Sequence, residues 1–462
     1  MKVGLFISVL LFVFVLQGPA QFTQTVTSAD GKMLLKELSN PLSASSGAAT
    51  ISSNNIFVNE KVQFQNIEGF GYTLTGGSAQ LLYQLSEQKR NAILKELFGR
   101  GSNDLQVSYL RISMGASDLD AAVFSYNDLP VGQEDVLLTK MSLKQDQQYL
   151  IPILKQIKSI QPEIKLIATP WSPPVWMKDN GKSMGGHLLK KIYPTYANYF
   201  AKYIRLMQQE GLNINAVTIQ NEPEHGGNNP SMLMSSMEQK DFIKDHLGPL
   251  FKKEQIETEI VIWDHNADHP NYPIEILEDS VAKSYISASA FHLYLGQETA
   301  LSKVHDAHPD KKIYFTEQWT GAKGTFSGDF MWHMEHIVLG TLSNWSSMVL
   351  EWNLANDPQF GPHTIGGCTE CLGALTISGD EIKRNVSYYI IGQVSKFIPA
   401  GSVRIEASST NDQVQVVAFK TPTGRKALLL LNKSKESVFT INFEQKKFNF
   451  TLPEKSCSTI VW

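Results

Sequence analysis

Between about residues 66 and 385, short runs rich in β-branched and aromatic residues alternate with longer segments whose apolar positions recur every third or fourth residue. That is the pattern of βα units around a parallel sheet. Candidate strands are 67–72, 107–113, 165–169, 216–220, 259–263, 288–292, 312–316 and 347–352, and candidate helices include 78–97, 143–160, 196–210, 239–253 and 330–342. Eight strands predict a closed (β/α)8 barrel of the TIM type. A doubly wound open sheet is the competing arrangement, but no Gly-rich phosphate loop follows the first strand.

After a helix near 386–397 the period changes from helical to alternating. Short runs at 403–407, 414–419, 426–431, 438–443, 448–452 and 459–462 are separated by turn residues such as Asn411-Asp412 and Pro422-Thr423-Gly424. These predict a small antiparallel β domain beside the barrel. The segment 50–65, with alternating Ile56-Phe57-Val58, can add strands to it and clasp the two chain ends together. The resulting division is 1–20 signal peptide, 21–65 N-terminal segment contributing to the β domain, 66–385 barrel, and 386–462 C-terminal β-sandwich.

The signal assignment rests on Met1-Lys2, an apolar block from Val3 to Leu16, and the small residues Gly18-Pro19-Ala20 at the expected cut. The block is shorter than the roughly 20 residues a spanning helix needs, so the mature protein is expected in a secreted or periplasmic location, without a transmembrane segment. The net charge of −4 offers no basic patch for nucleic acid. Aromatic residues make up 10% of the chain and charged residues 19%, which suits a packed enzyme with aromatic surfaces for sugars. Of the three cysteines, the close pair Cys368 and Cys371 reads first as a disulfide in an exported protein. Zinc would need further ligands that the neighbourhood does not supply at suitable spacing. Cys457 is left as a buried free thiol. No metal or cofactor is called for, and the oligomeric state is not legible.

A barrel assembles its site from residues at the carboxyl ends of its strands. Two candidate strands run directly into a glutamate: Val217-Thr218-Ile219-Gln220-Asn221-Glu222-Pro223 and Ile313-Tyr314-Phe315-Thr316-Glu317. A lone glutamate is most often a helix cap or a surface partner. Two on the fourth and seventh strand ends face each other across a barrel mouth, and glycosidic cleavage requires such a pair, one protonated and one ionised.

With those residues in place the chain resembles glycoside hydrolase family 30, the glucosylceramidases and β-1,6-glucanases. The resemblance is carried by Asn221-Glu222-Pro223, Thr316-Glu317, Gly69-Phe70-Gly71, Arg111-Ile112-Ser113, Pro170-Trp171-Ser172-Pro173-Pro174, Trp352-Asn353-Leu354-Ala355 and Phe397-Ile398-Pro399. It implies that Glu222 is the general acid/base and Glu317 the nucleophile of a retaining enzyme. It also implies that Asp118 and Trp171 hold the sugar, with Trp352 walling the pocket. Asn221 is expected to reach the sugar 2-OH, Tyr294 to orient the nucleophile, His292 to lie near substrate, and Trp319 to stack on a sugar in a positive subsite. Arg111 is expected to keep Glu317 ionised, a purely structural ion pair being the alternative, while burial and the charge of Glu317 raise Glu222.

Residues 366–373, Gly-Gly-Cys-Thr-Glu-Cys-Leu-Gly, are similar to the endo-β-1,6-glucanase branch of the family, so the expected partner is a β-glucan or another β-glucoside. An exo-acting β-glucosidase or glucosylceramidase is the alternative within the same chemistry. A catalytically silent carbohydrate-binding protein is the alternative outside it, and retention of both glutamates argues against that reading.

Overall fold

The protein is described here from a computed structural model, which covers residues 22–38, 43–44 and 54–462. The expected signal peptide and part of the N-terminal segment lie outside the described residues. Eight parallel strands close on one another: β1 (Gly69–Leu74), β2 (Tyr109–Ser113), β3 (Lys165–Thr169), β4 (Ala216–Thr218), β5 (Glu259–Ala267), β6 (Ile286–Gly296), β7 (Lys312–Glu317) and β8 (Ser346–Glu351). They stand in chain order around the barrel, and β8 pairs back onto β1. The (β/α)8 expectation holds, with ends shifted by a few residues.

Alternation along the strands stacks the barrel interior in layers. The lower layer is apolar, with Tyr109, Ile167, Ala216, Val261, Ala288, Ala290, Tyr314, Met348 and Leu350 in one cluster. Bulky tyrosines from β2 and β7 fill the space that the alanines of β4 and β6 leave. The intervening residues, among them Leu110, Ala168, Val217, Ile262, Phe291 and Phe315, point outward into the core beneath the helices. Further along β2 to β7 the interior becomes polar, and that layer is the floor of the site described below.

The helical run expected at 78–97 is two helices, Gly76–Gln84 and Glu87–Phe98. They part at Leu85-Ser86, where Leu85 is extended and the Ser86 N–H donates to Asp380 at 2.8 Å.

The side domain is built on one ten-stranded sheet in which Thr23–Ser28 pairs antiparallel with Ser456–Val461, and Asn55–Asn66 lies between Val403–Ser409 and Ser437–Phe443. The chain ends are therefore clasped, as the alternation at 56–58 predicts. Strand Lys426–Asn432 is buried on both faces. Its Leu428 and Leu430 pack with Phe439, Ile441 and Phe450 inside the side domain, whereas Ala427, Leu429 and Leu431 join Cys457 in the core shared with the barrel and its helices. Helix Val386–Ser395 lies at this junction. Its buried Gln393 amide donates to the Thr25 carbonyl and the Thr459 hydroxyl, both at 2.9 Å, and accepts from Thr27 at 2.9 Å. No helix among the described residues is long and apolar enough to cross a membrane.

Candidate active site

The polar layer above the apolar one consists of Arg111 on β2, Thr169 on β3, Thr218 on β4, Asp264 on β5, His292 on β6 and Thr316 on β7. Each except Asp264 stands two residues beyond a member of the lower layer, the step that returns a strand side chain to the same face. Asp264 stands three beyond Val261, and a bulge makes up the difference. Trp263 pairs with Ala290 and His265 with Phe291, so Asp264 is left over. Trp263 and Asp264 both adopt left-handed backbone, with φ 71° and 64°. The extra residue turns the Asp264 carboxylate inward, which is the usual work of a bulge beside a functional site.

Asp264 organises the floor. It accepts from Thr316 at 2.6 Å, Thr218 at 2.8 Å, Arg111 Nη2 at 2.9 Å and Thr169 at 3.3 Å, and pairs with His292 Nε2 at 3.2 Å. Burial works against its charge, but Arg111 and His292 hold the carboxyl well below the usual carboxylate range. The other arms of Arg111 reach Glu317 and, at 2.6 Å, the Asn221 side-chain oxygen. Its guanidinium lies 4.7 Å from the Trp171 ring centroid.

Glu222 and Glu317 stand on this floor. Glu222 follows β4 with φ 45°, a left-handed conformation costly for a residue with a Cβ. Its N–H donates to the Asp264 carbonyl at 3.0 Å, and its own carbonyl accepts from His225 at 2.8 Å. Strain held in place by surrounding bonds is a feature of functional sites. Glu222 Oε1 lies 3.1 Å from His292 Nδ1, and Glu317 Oε1 accepts from the Tyr294 hydroxyl at 2.9 Å. Ligating atoms of Glu222, His292 and Glu317 all lie within 4.8 Å of one another.

A cleft of about 400 Å³ opens above the pair, lined by Asp118, Trp171, Tyr294, Trp319, Trp352 and the two cysteines among others. Trp171 and Trp352 meet at 5.6 Å between ring centroids, and Leu119 and Cys371 complete that apolar wall. Cys368 and Cys371 form the disulfide, and Cys457 is free and buried. The disulfide loop is anchored at both ends of its reach. Cys368 N–H donates to Asp118 Oδ2 at 3.1 Å, and Cys371 pairs with Gly321 just after β7. Burial, reinforced by the charge of Glu317, pushes Asp118 up to about 7.

The structure thus brings all ten expected site residues to one barrel mouth, at two depths. Asp118, Trp171, Glu222, Tyr294, Glu317, Trp319 and Trp352 line the cleft; Arg111, Asn221 and His292 lie beneath it. His292 is wholly buried against Glu222 and Asp264. The directions expected for the two glutamates are reversed. Burial pushes Glu222 up, but the hydrogen bond and charge of His292 outweigh it and leave the carboxyl below its ordinary value. Burial pushes Glu317 up, against the pull of His292 and Arg111. His292 itself, although burial opposes its charge, is raised to about 9 by Glu317, Asp264 and Glu222.

Sequence reasoning passes over Asp264, and with it His265 and Asn266. The signal was present: Ile260-Val261-Ile262 runs into Trp263-Asp264, another acid at the end of an apolar strand.

Two carboxylates this close, donors behind them and tryptophan walls above, are what cleaving a glycosidic bond requires, and fold and site together define a glycoside hydrolase acting on a glycan. The chain belongs to glycosyl hydrolase family 30: residues 67–398 match that family's TIM-barrel domain and 401–460 its beta sandwich domain. It is 32% identical over 426 residues to an endo-1,6-beta-D-glucanase of Aspergillus fumigatus, covering 86% of this chain and 85% of that one. The lysosomal acid glucosylceramidase of Mus musculus is 29% identical over 425 residues, covering 87% of this chain and 82% of its own. A solved endo-beta1,6-glucanase structure superposes with a TM-score of 0.88 at 33% identity, covering 96% of this chain and 99% of that one.

Proposed function

We propose that the protein is an exported endo-β-1,6-glucanase that cleaves with retention of anomeric configuration. The observation that carries the mechanism is the spacing of Glu222 and Glu317, whose oxygens lie within 4.8 Å. Retaining enzymes place their carboxyl groups about 5–5.5 Å apart, whereas inverting ones need about 6.5–9.5 Å to admit a water. Glu317, oriented by Arg111 and Tyr294, attacks the anomeric carbon. Glu222 protonates the departing oxygen and then draws a proton from the water that releases the glycosyl-enzyme. That first proton is supplied through the hydrogen-bonded His292–Glu222 pair, across one 3.1 Å contact. Asp118, Trp171 and Trp352 hold the sugar, Trp319 flanks it, and Asn221, fixed by Arg111, supports the transition state from below.

The linkage reading rests on the endo-1,6-glucanase relatives, at 30% to 33% identity over most of the chain. Export is supported by the apolar N-terminal block and by the disulfide, which persists in oxidising compartments. The glucosylceramidase relatives keep lipid glucosides as the second reading.

Product analysis on β-1,6-, β-1,3- and β-1,4-glucans and on glucosylceramide decides between them. Oligosaccharides released from β-1,6-glucan alone are expected; glucose as the sole early product makes the enzyme exo-acting, and hydrolysis confined to glucosylceramide overturns the assignment. Proton NMR of the first turnovers should show the β-anomer, and an initial α-anomer overturns retention.

A further inference from the structure

The cleft has two unlike walls. On the side of β2, β3 and β8 it is closed by Asp118, Trp171 and Trp352 under the disulfide loop. On the side of β4 and β5 the wall is polar, with His225 and Asn228 from the loop that carries Glu222, and His265 and Asn266 from β5. The second wall contains a group without a use in the steps above. His265 is only 7% exposed and its Nδ1 is shut off from solvent, but the ring lines the cleft and its Nε2 makes no hydrogen bond to any described residue. A ring nitrogen left without a partner in a cleft wall is free to take a ligand group, and here that nitrogen is Nε2.

The ring is held in position, 5.0 Å from Trp263 and edge-on to His292 at 6.4 Å between centroids. The bulge that turns Asp264 into the barrel also delivers His265 to the wall next to it. Burial pushes His265 down to about 4, leaving a neutral imidazole whose Nε2 donates to or accepts from a sugar hydroxyl according to its tautomer.

We propose that His265, together with His225 and Asn228, forms the subsite that holds the leaving sugar, so that the aglycone selected here is a polyhydroxylated sugar and not a lipid. The inference rests on Glu222 being the acid. The glycosidic oxygen that an acid protonates lies between the retained and the departing units, and the closed wall encloses the retained one. Residues beyond Glu222 on its own loop, and on the strand beside it, therefore face the departing one.

The test compares His265→Ala and His265→Asn with the wild type on two donors, 4-nitrophenyl β-glucoside, which carries no second sugar, and a β-1,6-linked gluco-oligosaccharide. It also measures transfer from the aryl glucoside to added glucose. Loss of one neutral hydrogen bond corresponds to about a five- to tenfold effect. The alanine variant should lose that much more kcat/KM on the oligosaccharide than on the aryl glucoside, and its transfer-to-hydrolysis ratio should fall in proportion. The asparagine variant should recover most of both. Equal losses on the two donors, or an unchanged transfer ratio, overturn the subsite. Wild-type enzyme that ignores the oligosaccharide yet transfers to glucose overturns the linkage instead, and the transfer ratio then judges the subsite alone.

Discussion

At the scale of residues, Glu222 and Glu317 are distinguished by their neighbours. Glu317 receives two donors, Arg111 and Tyr294, while Glu222 shares a single contact with His292. Their variants should differ accordingly. Glu317→Ala removes the nucleophile and should abolish glycosyl-enzyme formation with any leaving group. Glu222→Ala should still form it from an activated aryl glucoside, accumulate it, and recover turnover with azide as a β-glycosyl azide, which NMR identifies. His292 governs pH dependence. Its folded value, raised to about 9, exceeds the ordinary 6.5. Whatever stability its charge contributes is therefore complete below 6.5 and lost as pH rises through 9. The proton shared with Glu222 leaves over the same range, so kcat/KM should fall on the alkaline side with an apparent pKa near 9. His292→Asn should move that limb downward and reduce kcat/KM by about a hundredfold; a limb that stays in place would show that His292 holds no part of the proton.

At the scale of elements, the disulfide loop acts on binding more than on folding. It ties Asp118 to the segment after β7 by the Cys368 N–H and the Cys371–Gly321 pairing. Its covalent ring is short, so the stabilisation expected from it is at most about 2 kcal/mol. Replacing both cysteines by serine should raise KM about three- to tenfold through a loosened Asp118 while lowering the melting temperature by only a few degrees. Thiol titration of the denatured, unreduced wild type should count one cysteine, Cys457. The loop, the eight strands and both strand-end glutamates were legible because each is written in local pattern. The Ser86 break in the first helical run was not, since its Asp380 partner lies far along the chain. The bulge at Trp263-Asp264 was not legible either. A bulge is a mismatch between two strands, and the sequence of β5 alone, with its unbroken apolar run Ile260–Trp263, gives no sign of where the count slips. The inward turn of the Asp264 carboxylate and the place of His265 beside it follow from that one extra residue.

At the scale of the whole molecule, barrel and side domain share a core and should unfold together. Leu429 and Leu431 face the core shared with the barrel while Leu428 and Leu430 face the sheet's own interior, so one strand carries part of both. The Gln393 amide joins the helix after the barrel to the first and last strands of the sheet. A side domain hung on a linker would melt separately; this one cannot expose its barrel-facing leucines without uncovering the core they share with the barrel. Calorimetry should therefore show one transition, with activity and tryptophan fluorescence lost together. Leu429→Ala tests the coupling, because it deletes a fully buried side chain at a cost of about 2–5 kcal/mol. For a chain of this size the unfolding entropy is roughly 0.9 kcal/mol/K, so the single transition should fall by about 2–5 °C. Two transitions, with only one displaced by Leu429→Ala, would falsify the shared core.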